Sequence, residues 1–201
     1  MSKITLHPSN DKLAYFEYKH RQCLIMYYKG GVNIKILIQI FKQLDIMTSY
    51  YSRVSVVLLQ FHLREQTLDN KVISIFLTAL IKKLKFRYKS KIGYVWIREQ
   101  NGAPAQHYHM AIMLSGHVCE SSHHIYTIAK EIWKTQNENG YSYRVENSLY
   151  RLVRYCDIEL NAARYRLSYF AKNKTKVFDK DIKKFGVSRL AFNVPMSTTR
   201  S

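Results

Sequence analysis

The sequence predicts an α+β domain. Apolar positions switch repeatedly between helical and strand spacing, and a turn-rich loop joins two apolar runs into an antiparallel hairpin. The chain has 201 residues and 47% hydrophobic content, enough for one domain with a substantial core. Residues 1 to 31 mix charge with aromatics and end at Lys29-Gly30-Gly31, a turn signal that sets off an N-terminal segment. The main domain is expected over 32–192 and a flexible tail over 193–201.

Within that domain, Val32 to Met47 carries Ile36, Ile40 and Leu44 at helical spacing. Ser52 to Leu63 is dense in Val and Leu and reads as a strand central to the sheet. Leu68 to Tyr88 is an amphipathic helix, with Val72, Ile75, Phe76, Ala79, Leu80 and Leu84 on its apolar face. Lysines and arginine crowd its end, as the helix dipole favours. Gly93 to Glu99 and Gln106 to Leu114 form the hairpin, centred near Ala103. His117 to Asn139 contains a helix, with Ile125, Ile128, Ala129 and Ile132-Trp133 facing inward. Tyr141 to Val145 and Leu152 to Ile158 read as short strands, and Asn161 to Asn173 as a helix capped by Asn161.

The hairpin carries the first chemical signal. Strand side chains alternate between faces, so His107 and His109 point the same way. A hairpin centred near Ala103 sets Glu99 opposite His107, and two imidazoles and a carboxylate then converge on one face. Such a donor set suits a divalent metal, Mg²⁺ or Mn²⁺ among others. His117, Cys119, His123 and His124 are competing ligands nearby, with His117 and Cys119 able to complete a zinc site.

The second signal is charge. Lys and Arg number 32 against 14 Asp and Glu, a net charge of +18. That excess favours a polyanion, nucleic acid above all, through counterion release. Sixteen tyrosines add surfaces for stacking unpaired bases. Three dispersed cysteines with no CxxC argue against a disulfide framework and for a reducing cytoplasm. No long apolar run or leader is evident, so no membrane association is expected.

The third signal is a tyrosine helix. Tyr165, Tyr169 and Lys172 fall on one stripe, with Ala163, Leu167, Phe170 and Ala171 opposite. A phenol has a pKa near 10, so its attack needs a nearby cation or metal.

His107-Tyr108-His109 resembles the HUH motif, and Tyr169-Phe-Ala-Lys172 resembles the YxxK element of HUH endonucleases. Trp96-Ile-Arg-Glu99 and Lys184-Phe-Gly-Val-Ser-Arg189 extend the likeness to inovirus gene II-type replication proteins and the YagK/YfjJ C-terminal domain proteins. Tyr108 is bulkier and more polar than the aliphatic usual at that position. The resemblance implies a ferredoxin-like (RRM-like) antiparallel sheet with helices on one side, the HUH strand central and the tyrosine helix near it. It implies a rolling-circle replication initiator that nicks single-stranded origin DNA, or an origin hairpin, by metal-assisted transesterification. Glu99, His107 and His109 would hold the ion, Tyr169 would attack, Tyr165 would serve a second transfer, and Lys172 would assist. Such a protein works in the cytoplasm of a bacterial host, and the lack of a P-loop implies a borrowed host helicase. A non-catalytic DNA-binding regulator on the same scaffold is the alternative, or a relaxase or transposase of the same chemistry.

Overall fold

A computed structural model of the chain describes residues 3–100, 103–173 and 182–193. β1 (Ile4–Leu6), β2 (Leu13–Tyr18) and β3 (Arg21–Met26) form a small antiparallel sheet. The N-terminal segment, in which no strand is expected from the sequence, is therefore a sheet. Ala14, Phe16, Cys23 and Ile25 from it share one core with the rest of the chain, so packing is continuous across residue 31.

α1 (Ile34–Tyr50) starts at Asn33, whose side chain accepts from the Ile36 amide at 3.1 Å. β4 (Arg53–His62) follows, then α2 (Lys71–Tyr88), β5 (Gly93–Glu99), β6 (His107–Ser115) and α3 (Ser122–Gln136). In α2 the buried stripe is Ile73, Phe76, Leu77, Leu80 and Leu84, while the expected Ile75 is exposed. β7 (Tyr141–Tyr143) and β8 (Leu149–Val153) precede α4 (Asp157–Ser168). A 3-10 turn over Tyr169–Ala171 continues α4, and β9 is Phe185–Val187. The strand expected at Leu152 to Ile158 therefore gives way to helix, and Asn161 lies inside α4 rather than at its cap. Acidic Asp157 and Glu159 occupy the first turn, where the helix dipole favours them.

The main sheet runs β7-β4-β6-β5-β9, with β8 also paired to β4. From β4 onward the order is strand, helix, two strands, helix, strand, with the two middle strands exchanged in space. That is a ferredoxin-like arrangement, extended at one edge by β9. β6 lies between β4 and β5, so its face is covered on both flanks.

Strand alternation divides the core in two. Val57, Leu59, Phe61, Trp96, Tyr108, Met110 and Ile112 face α2 and α3. Val54, Val56, Leu58, Val95, Ile97, Ala111 and Met113 face α1, α4 and the small sheet. α2 and α3 thus sit on one side, as expected, and the other side is covered too. β9 packs tightly on its neighbour: a Cβ on Gly186 would lie 2.5 Å from the Trp96 indole nitrogen. Among the described residues, no helix is long and apolar enough to cross a membrane. Beyond Asn193, the tail expected over 193–201 lies outside the described residues.

Candidate metal centre

The register places Glu99 directly opposite His107, and Ile97 opposite His109, as the hairpin arithmetic requires. All three polar side chains emerge on the α1/α4 face, at the end of the sheet where the apolar pattern stops. Glu99 Oε2 stands 3.5 Å from His109 Nε2 and 3.8 Å from His107 Nε2. One donor atom from each lies within 4.8 Å of the others, the single such group of three among the described residues. His117 and Cys119 take no part: His117 Nε2 is 3.0 Å from Ser52 Oγ, and the Cys119 thiol faces the Ser121 carbonyl.

The environment fits a cation. The Glu99 side chain is fully buried, and a buried carboxylate is costly without positive charge near it. Burial, reinforced by neighbouring His109 and opposed by Glu99, pushes His107 down to about 4. Its imidazole is therefore neutral at physiological pH, the form that ligates metal. Two imidazoles and one hard oxygen so placed can hold a divalent ion.

Tyr108 shows why the middle residue of the motif can be large. It is fully buried on the opposite face, ring to ring with Trp96 and Trp133. The expectation that it points away from the ligands holds.

Tyr169 reaches the centre because α4 ends early. Its ring is perpendicular to that of His109 at 5.5 Å, and Phe170 stacks on His109 at 5.7 Å. Lys172 joins the parts: its Nζ lies 3.2 Å from Glu99 Oε2 and 3.6 Å from the centre of the Tyr169 ring. The turn is stitched to the chain ahead of α1. Asn33 N donates to the Ala171 carbonyl at 2.7 Å, and Asn173 N donates to that of Gly31 at 3.0 Å. Gly31 sits at φ +73°, a conformation glycine adopts without strain. Ser168 Oγ accepts from Met26 N at 2.8 Å and so ties α4 to β3.

Residues 18–188 match the profile of the YagK/YfjJ C-terminal domain. The chain belongs to this family. The matched span includes the hairpin, the tyrosine turn and β9, and it starts within the N-terminal sheet. No curated protein and no solved structure matches the chain.

The switch from α-helix to 3-10 turn at Tyr169 bends the expected tyrosine stripe. Tyr169 and Lys172 meet the triad, and Tyr165 lines a cleft with Leu6, Leu13, Met26, Tyr27 and Tyr28. Tyr28 meets Tyr169 edge to face at 5.9 Å, and burial followed by the two nearby tyrosines pushes its phenol up to about 12. Sequence reasoning missed His62, whose ring stacks on His107 at 5.0 Å and 13°. Its signal was present in part: His62 is in phase with Val54, Val56 and Leu58 along β4.

Proposed function

We propose that this chain nicks single-stranded DNA by metal-assisted transesterification with Tyr169 as nucleophile. The observation that carries the reading is the convergence of Glu99, His107 and His109 with the Tyr169 ring, 5.5 Å from His109, and Lys172 against both. A tyrosine beside a bare pair of histidines would be ordinary packing. Here the fully buried carboxylate and the cationic lysine supply what phenol attack on a phosphodiester requires.

Glu99, His107 and His109 would hold Mg²⁺ or Mn²⁺, which when bound would supply Lewis-acid polarisation of the scissile phosphate and charge neutralisation. Tyr169 Oη forms the new bond to phosphorus and the bond from phosphorus to the 3′ oxygen breaks. The phenol proton ends on that oxygen. The products are a 5′-phosphotyrosine link and a free 3′-OH able to prime synthesis. Lys172 neutralises the phenolate or the phosphate as charge builds. Tyr169 makes the first attack, and Tyr165 is reserved for a second transfer.

The likeness of the motifs to HUH endonucleases and inovirus gene II-type proteins supports rolling-circle initiation as the biological setting. The substrate is then an origin strand or origin hairpin in a bacterial cytoplasm, with unwinding by a host helicase. The net charge of +18 favours that polyanionic partner.

The test is a denaturing gel. Purified protein with Mn²⁺ and single-stranded oligonucleotides tiled across the DNA flanking its gene should give a covalent protein–DNA band. Tyr169→Phe and His109→Ala should each abolish the band while leaving DNA binding largely intact. A Tyr169→Phe protein that still forms the adduct, or an adduct that survives thorough chelation, would overturn the assignment.

A further inference from the structure

A row of side chains crosses the sheet from the metal ligands to its edge. Glu99, His107, His62 and Tyr141 are register partners in turn on β5, β6, β4 and β7. The next row on the same face holds Ile97, His109, Gln60 and Tyr143. His62 is nearly parallel to His107, and to Tyr141 at 4.7 Å and 9°. Gln60 Nε2 lies 2.8 Å from His62 Nε2 and fixes its plane. The Arg64 guanidinium lies 4.7 Å from the centre of the Tyr141 ring. Tyr143 stands across the row, 5.3 Å from both Tyr141 and His62 at 74°, and is 59% exposed.

Rings serving only the core would be covered. This one stands open on a three-residue edge strand, braced by two stacked rings, one of which carries an arginine. An open aromatic face beside a cation is the combination that takes an unpaired base and its phosphate. It lies on the sheet face of the metal ligands, in the row of His109 and next to the ring row of His107, so a strand can run across both.

We propose that Tyr143, braced by Tyr141 and His62 with Arg64 on the Tyr141 ring, stacks an unpaired base of the single-stranded DNA whose phosphate is held at the metal centre. The proposal rests on the reading of this face as a DNA-nicking site. It adds the platform that grips the strand on the β7 side.

The experiment reads binding, not cutting. Fluorescence anisotropy in EDTA with a labelled, mixed-sequence 20-nucleotide strand gives Kd and its salt dependence. Tyr143→Leu should weaken binding by on the order of tenfold with the salt slope unchanged, because stacking releases no counterions. Tyr143→Phe, which keeps the ring, should bind like the parent. Arg64→Ala should lower the salt slope. A Tyr143→Leu protein with the parent circular dichroism and the parent Kd would overturn the platform, as would a parent chain that does not bind the strand. The adduct gel separates the two ideas. An adduct with an unchanged Tyr143→Leu Kd removes the platform and keeps the nuclease, and ring-dependent binding without an adduct does the reverse.

Discussion

At His107 the neighbours pull in opposite directions: burial and His109 disfavour the proton, Glu99 favours it, and the imidazole titrates at about 4. In the unfolded chain the same group titrates near 6.5. Between those values the unfolded state binds the extra proton, so His107's contribution is complete above about pH 6.5. It is lost as pH falls towards 4, and no more is lost below that. The expected loss for the metal-free protein is up to about 3 kcal/mol. Urea unfolding of parent and His107→Gln between pH 7 and 4 checks it: the parent's slope should exceed the variant's, and parallel profiles would refute the assignment. The neutral imidazole carries a functional corollary, because an arriving cation displaces no proton from His107 at neutral pH.

Among elements, β9 shows how a short strand is held by shape. Gly186 pairs with Trp96, and the indole occupies the space where any side chain would begin. Gly186→Val should cost roughly 1–3 kcal/mol by forcing β9 or the indole to shift, measured as a drop in the urea midpoint. An unchanged midpoint would mean that the edge strand adapts freely. The same element scale shows what the sequence could reveal. The β5–β6 hairpin was legible to the residue, since period-two alternation and one turn-rich loop fix the Glu99–His107 register. The β2–β3 hairpin was not. It turns through Lys19 and His20, both at positive φ, instead of the Asn-Gly or Asp-Gly pair that announces such turns. The start of α4 was masked by Val153 and Ile158, which read as strand, although Val153 ends β8 and Ile158 is exposed on the helix. His62 and Tyr143 were invisible as neighbours of the site, because the β4–β6 and β4–β7 registers join segments with no short turn between them.

For the whole molecule, the N-terminal sheet is part of the working domain. It covers α1 through Phe16 and Tyr18, whose rings meet Phe41 edge to face at 5.7 and 5.3 Å, and Ser168 anchors α4 to it. A chain beginning at Val32 exposes that apolar surface and loses the Gly31–Asn173 and Met26–Ser168 hydrogen bonds that help hold the Tyr169 turn. It should be insoluble or melt well below the parent in a thermal circular-dichroism scan, and a truncated chain melting with the parent would show the sheet to be an accessory.

The stitch between the tyrosine turn and the chain before α1 has a consequence for how the site comes into being. The ion-binding half needs only the short β5–β6 loop to close, whereas Asn173 meets Gly30 across 143 positions. Loop-closure entropy makes the second event more costly by about 2–3 kcal/mol. The two halves of the centre therefore differ in cooperativity. A locally ordered hairpin can bring Glu99, His107 and His109 together on its own, but Tyr169 arrives only when the two ends of the domain have met. If the chain cuts DNA as proposed, cutting competence is in this sense a report on complete folding, and a partly folded chain would gather its ion ligands before it could break a strand.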